Sequence, residues 1–371
     1  MKKLFILIFL VSLILPSFVF AQGVSVQDQL FEAKVIEIMD ENIVTREDGS
    51  EFVQQNLKLI GLEGRWEDQE VIYEGINDLD LIKSVTAKKG DKVVLTASTN
   101  VDGEEVYYVT DHVRRGWLYF LALLFAVLII VVGKGKGVKA LISLVVTFLI
   151  IMWFIIPLIM AGHSPLLVSI IGSVAILGAI VYITWGIKRK AHIAVVSIAI
   201  SLVITGILSI IFTKLTALSG LAQDDAMFLV GAGGIAINFQ GLLLAGIIIG
   251  TLGVLDDVVI SQISTIEQIK LASHHLTHYE LFKRGIKVGV DHISSMTNTL
   301  FLAYAGASLP LLLLFSTRSD SSVSLSQVLN NEVIATEIVR TLTGSIGLIL
   351  AVPIATVIAA HFLVKVKKKK S

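Results

Sequence analysis

The apolar positions follow one rhythm up to about residue 114 and another after it. Between residues 22 and 114, short stretches alternate apolar with polar: AKVIEI, NLKLIGL, QEVIYEG, KVVLTAS and EVYYVTDHV. A period of two marks strands with one buried face. Asp48-Gly49, Lys89-Gly90-Asp91 and Asp102-Gly103-Glu104 separate them as turns. The segment therefore predicts a small antiparallel sheet or barrel around one modest core. After Arg115 the apolar runs lengthen to roughly 20 residues, enough for a helix to cross a bilayer core. They predict seven helices, at about 116–133, 138–161, 164–186, 192–213, 240–263, 293–316 and 339–363. Pro310 and Pro353 fall inside the sixth and seventh and are expected to kink them. The glycine-rich stretch 227–239 is too short to span. A re-entrant or interfacial segment and an extension of the fifth helix both fit it.

The first residues carry a different signal. Lys2 and Lys3 precede an apolar run over 4–15, Pro16 and Ser17 break it, and Val19 and Ala21 occupy small-residue cleavage positions. This reads as a secretory signal peptide over 1–21, with an uncleaved anchor as the alternative. The expected organisation is a signal peptide (1–21), an extracytoplasmic β-rich domain (22–114), a seven-helix transmembrane domain (115–365) and a basic cytoplasmic tail (366–371). The fold class is a polytopic α-helical membrane protein with a small N-terminal extracytoplasmic β-rich domain.

Composition sharpens this picture. Of 371 residues, 54% are hydrophobic and 16% charged, where a soluble domain carries about 25% charge. The net charge is zero, which lends no support to a nucleic-acid partner. The chain has no cysteine, so disulfides, thiolate metal sites and cysteine nucleophiles are excluded. Charge placement supplies an orientation. Lys134, Lys136 and Lys139, then Lys188, Arg189 and Lys190, then Lys270, Lys283, Arg284 and Lys287 fall in alternate loops, and Lys365 and 367–370 in the tail. The intervening loops hold little: Lys214 with Asp224 and Asp225, then Arg318 with Asp320. Seven spans with the N-terminus outside and the C-terminus in the cytoplasm satisfy the positive-inside rule at each of these loops. The implied location is a bacterial plasma membrane.

Candidate chemistry gathers on the fifth and sixth helices. Asp256 and Asp257 follow a long apolar run, where an aspartate costs roughly 2.5–3.5 kcal/mol at a helix centre. Asp257, Ser261 and Ser264 share one helical face, and Asp256 is rotated about 100° away. The expectation is that Asp257 faces the bundle interior and Asp256 reaches toward headgroups or a basic loop. On the sixth helix Asp291, Ser294, Ser295 and Asn298 recur at three- and four-residue spacings. Two polar faces at one depth suit a hard cation or protons. The bland alternative is that Asp291 and Ser294 cap the helix while Asn298 binds helices together. His274 and His278 have the i,i+4 spacing of a metal pair, but a solvated loop explains them as well. Glu337 and Arg340 are expected to pair locally, and Thr341, Thr343 and Ser345 to line a packing face beside Gly344 and Gly347. No catalytic residue, metal site or cofactor is assigned.

The stretches GLLLAGIIIGTLGVLDDVVIS, VGVDHISSMTNTLFLAYAGASLPLLLL and GSIGLILAVPIATVIAA resemble the YibE/F-like family of multi-pass membrane proteins. The outer segment ending YYVTDHVRRGWLYFLALLFA is similar too. The resemblance places the family's aspartate after the LG pair on Asp257 and its acidic start of the next helix on Asp291. Asp256 departs from the family pattern, which puts a paired-aspartate mechanism in doubt. That family is defined by sequence, so the resemblance implies an architecture and no substrate. The expected function is a transporter or permease component that moves an ion or small solute past Asp257, Ser261, Ser264, Asp291, Ser295 and Asn298. The alternative is a membrane-anchored sensor or assembly scaffold acting through its outer domain. The expected partners are the lipid bilayer and an ion or small solute, with a homo-oligomer or a membrane partner left open.

Overall fold

A computed structural model describes residues 29–45, 49, 51–76, 86–100, 103–222, 224–231, 237–317 and 324–363. The expected signal peptide, the basic tail, Asp48, Asp102, Arg318, Asp320 and part of the 227–239 stretch lie outside the described residues. The chain divides into two compact units, residues 1–125 and 126–371.

The first unit is an antiparallel sheet. Its strands are β1 (Gln29–Thr45), β2 (Glu51–Gly61), β3 (Glu70–Glu74), β4 (Lys92–Thr99) and β5 (Glu105–His112), in the order β3-β2-β1-β4-β5. Each of the five alternating stretches became one strand. β1 is long enough to pair with β2 over most of its length and with β4 through its first residues. Irregularities in its pairing with β2, between Val35 and Glu37 and between Ile38 and Asp40, bend it. Edge strands β3 and β5 come into contact, so the sheet curls toward a barrel. One core fills it: Phe31, Val35, Leu57, Leu59, Val93 and Leu95 are buried. Phe31 stacks on Trp66 with ring centroids 4.1 Å apart. Buried Gln55 accepts a hydrogen bond from the Ala87 N–H (2.8 Å) and donates to Glu41 (2.8 Å).

The remainder is mostly helical. Its helices are α1 (Arg115–Ile150), continuing through a π-helical stretch Ile151–Ile155 into α2 (Ile156–Met160), then α3 (Pro165–Trp185), α4 (Arg189–Leu215) and α5 (Asp224–Gly231). After these come α6 (Phe239–Ala272), α7 (His278–Ala307), α8 (Leu309–Thr317), α9 (Leu325–Asn330) and α10 (Glu332–Leu363). Among the described residues, five helical stretches are long and apolar enough to cross a membrane: Arg115–Met160, α3, α4, α6 and α10.

The first of these stretches is 46 residues long, roughly 70 Å at 1.5 Å per residue. It is interrupted at Lys134, whose φ of 48° is left-handed. A Cβ on Gly137 would collide with the carbonyl of Ile129, eight residues earlier. Those two positions would stand about 12 Å apart in a straight helix, so the chain doubles back, between the first two predicted helices.

Local signals set the other ends. Pro165 starts α3 and Gly186, at φ 73°, follows its end. The Asn238 side chain accepts from the Gly241 N–H at 2.9 Å and caps α6. Thr277 and Glu280 form a reciprocal capping box that starts α7. That start is fifteen residues before the predicted one. The helix breaks again at Ser308, beside Pro310, where a kink was expected. Pro353 sits inside α10 without ending it.

α10 is the hub of the second unit and packs on α4, α6 and α7. Its contact with α4 is built from small polar residues. Ser197, Ser201, Thr205, Ser209 and Thr213 recur every four residues and are buried. Ser197, Ser201, Thr205 and Ser209 each donate to the carbonyl four residues back, at 2.8–2.9 Å. On α10, Thr341, Thr343 and Ser345 are all buried, but steps of two residues turn Thr343 about 160° from the other two, so they pack on more than one neighbour. Gly347 meets Thr205 so closely that any side chain there would collide with it.

Candidate functional site

α6 is the most buried long helix, with Leu252, Leu255, Val259 and Ile263 fully enclosed. It runs on to Ala272, so Asp256 and Asp257 stand at its mid-length rather than near its end. Their roles are the reverse of the expectation. Asp256 is buried at 9% exposure, and its Oδ1 has no hydrogen-bond partner. Asp257 is exposed, on the face that carries the exposed Gly246, Gly250 and Gly253. Ser261 and Ser264 continue that face and are half-buried. The periodicity correctly grouped Asp257 with the two serines. It could not say which side of a helix apolar nearly all round would meet its neighbours.

α7 packs antiparallel on α6. Gln262 on α6 donates through Nε2 to the Gly285 carbonyl (2.9 Å), and Gly250 lies beneath the Tyr304 hydroxyl. This register brings Asp257 about level with the 293–296 turn, so the two polar segments do share one depth. Their faces do not meet. The contact joins Val254 and Val258 of α6 to Ile286, Ile293 and Met296 of α7, together with Leu348 and Val352 of α10. Asp291 and Asn298 are exposed about half a turn from Gly289, on the outward side of α7, with Ser294 and Ser295 beside them. Asp291 lies well inside the helix, so it is no N-cap.

Gln262 belongs to no pattern that the sequence reading singled out. Besides Gly285, its Nε2 donates to Thr356 Oγ1 of α10 at 2.7 Å, and that hydroxyl donates to the Val352 carbonyl at 2.6 Å. One amide therefore ties three helices together a turn and a half beyond Asp256. One of three glutamines on α6, with Gln240 and Gln268, Gln262 carries no motif.

The two loop histidines separate. His274 Nδ1 lies 3.0 Å from the Lys270 carbonyl and His278 Nδ1 lies 2.9 Å from the Ala360 carbonyl. The turn between α6 and α7 breaks the helical spacing on which a metal pair would depend. Among the described residues no group of three or more metal-ligating side chains occurs. Lys190 Nζ reaches Glu267 Oε2 at 3.0 Å and joins the start of α4 to the far part of α6.

A family model described as YibE/F-like protein matches residues 121–365. No curated protein and no solved structure matches the chain.

Proposed function

The chain belongs to the YibE/F-like family, and from that premise we propose that it is a transporter or permease component moving an ion or small solute across a bacterial plasma membrane. One observation carries the reading. Asp256 is buried at the mid-length of a long apolar helix, and its Oδ1 has no partner. A carboxyl there costs free energy and does not repay it in packing, which favours a role in accepting a proton or cation. Asp257, one residue on and exposed, supplies the step toward the polar face of Ser261 and Ser264.

The proposed topology has seven spans. The reversal at Lys134 divides the first apolar stretch into two legs, and α7 with α8 supplies the sixth span. Lys134, Lys188 and Lys270 then lie at cytoplasmic turns and His163 and Thr216 at outer ones.

The test is reconstitution in liposomes with imposed proton, sodium or potassium gradients, followed by dyes inside the vesicle. Wild type is expected to dissipate one of these gradients. Asp256→Asn is expected to slow that flux about tenfold or more, the scale of a lost charge-stabilising group. Equal flux in both proteins would remove Asp256 from the path. The sensor reading draws on a separate observation, a groove of about 820 Å³ between β3 and β5 lined by Glu70, Glu74, Glu104, Glu105, Tyr73 and Tyr107. It gains if no gradient is dissipated and this unit retains a ligand.

A further inference from the structure

Four lysines gather at one end of the sheet. Lys88, Lys89 and Lys92 lie in and just after the turn that leads into β4, and Lys34 stands directly across from Lys92 in the pairing of β1 with β4. The Gly90 N–H donates to the Val35 carbonyl and the Val35 N–H to the Asp91 carbonyl, both at 2.9 Å, which holds the turn against β1. All four lysines are exposed. Among the described residues none of them has a carboxylate within ion-pair distance. Like charges directly opposite on a sheet repel, so Lys34 and Lys92 weaken the strand pair on which they sit. The neighbouring arginines are neutralised: Arg115 by Glu32, with Nη2 donating to Oε2 at 2.8 Å, and Arg114 by Asp111 at 2.5 Å. Asp91 is committed to its own turn, where it accepts from the Lys88 N–H at 2.9 Å.

The first membrane-length stretch begins at the same end. The Val113 N–H donates to the Lys92 carbonyl at 2.9 Å, and Arg115 starts α1. An open groove of about 670 Å³ runs between the lysine turn and the helix start, with Asp91, Lys92, His112, Trp117, Tyr119 and Phe120 in its lining. It lies wholly within the first unit. The three aromatic side chains are exposed, Trp117 at 79%. Trp117 meets Phe120 edge to face, with ring centroids 6.1 Å apart. Aromatic rings at the start of a span sit at headgroup depth, one side apolar and one side wet. Cations without partners and rings suited to a lipid interface therefore border one groove.

We propose that this groove binds the headgroup of an anionic phospholipid, in the leaflet that the start of α1 enters. Lys92 meets the phosphate, and Lys34, Lys88 and Lys89 raise the positive potential around it. Trp117, Tyr119 and Phe120 pack on the glycerol and the first carbons of the chains. A soluble phosphate offers the same charge, but only a lipid gives the rings an apolar body to cover. The site is independent of the ion path proposed for α6.

The test uses the full chain in phosphatidylcholine vesicles that carry a small fraction of phosphatidylglycerol with brominated chains, or the same fraction of brominated phosphatidylcholine. The quenching that disappears in Trp117→Phe reports this groove alone, so lipids held elsewhere do not count. Brominated phosphatidylglycerol is expected to quench Trp117 more strongly than brominated phosphatidylcholine. Lys92→Gln is expected to lower that preference about fivefold, and Lys34→Gln to act in the same direction, since one lysine near a charged surface contributes a factor of that order. Both positions are exposed, so neither change removes a packed group. Added salt is expected to act as the substitutions do. Equal quenching by the two lipids overturns the proposal, and so does a preference that survives Lys34→Gln combined with Lys92→Gln. An excess of glycerol phosphate, which has the charge without the chains, is expected to leave the preference in place. Its loss would hand the site to a soluble phosphate and overturn the lipid.

Discussion

Asp256 and Asp257 share a chemistry and differ by 100° of helix rotation, and that angle decides which of them is enclosed. A turn and a half further along α6, Gln262 ties three helices together. Its replacement separates packing from polarity. In Gln262→Leu the Gly285 carbonyl keeps its place in the α7 ladder and Thr356 still donates to Val352, so no group is orphaned. The expected loss is within about 1 kcal/mol. Gln262→Glu puts a charge against two oxygens and is expected to cost about 3 kcal/mol or more at neutral pH. Protonation turns that carboxyl back into a donor, so the gap between this variant and wild type is expected to narrow as pH falls. Thermal unfolding in detergent from pH 8 to pH 5 checks both. A Gln262→Glu protein as stable as wild type at pH 8 would contradict the enclosed donor role. Spacing in the sequence was enough to group Asp257 with Ser261 and Ser264. It did not give the phase of that group, because apolar residues cover the helix on most sides.

Elements were legible where a local signal set them. The five alternating stretches each became one strand, and the lysine-rich break after residue 133 became a turn. The start of α7 was missed because apolarity was the guide. Residues 278–292 carry Lys283, Arg284, Lys287 and Asp291, so they do not resemble a span, yet they are helical. The signal was there in Thr277-His-Tyr-Glu280, a capping box by spacing. The Glu280 carboxylate accepts from the Thr277 backbone N–H and hydroxyl, both at 2.9 Å. Those bonds hold its pKa below the usual value. A depressed carboxylate stabilises above its unfolded pKa, and this contribution is lost as pH falls through the folded one. Thr277→Ala is expected to loosen the first turn of α7 by on the order of 1 kcal/mol, read as faster amide exchange at residues 278–281. The difference from wild type is expected to shrink in acid, below the ordinary glutamate range. A difference that persists there would separate the cap from Glu280.

At the scale of the whole molecule, the proposed seven-span path makes a prediction that the absence of cysteine makes clean to test. Single cysteines at His163 and Thr216 are expected to react with an impermeant maleimide on intact cells. Cysteines at Lys188 and Ser273 are expected to react only after permeabilisation. Labelling of Lys188→Cys in intact cells would invert the topology. Family membership and a remainder of membrane-length apolar helices were foreseeable from the sequence, which predicts seven spans where the described residues hold five such stretches. The assembly around α10 was not, because a row of serines and threonines looks alike whether it lines a pore or a packing face. Four hydroxyls of that row on α4 are spent on their own helix, and the facing Thr343 likewise donates to the Val339 carbonyl at 2.7 Å. None of these bonds crosses from α4 to α10. Such a seam holds by shape alone: it resists separation, but a glide along its length breaks no polar bond of the row. The register of α10 against α4 is therefore set by the fit of shapes such as Thr205 against Gly347, and not by any polar bond of the row.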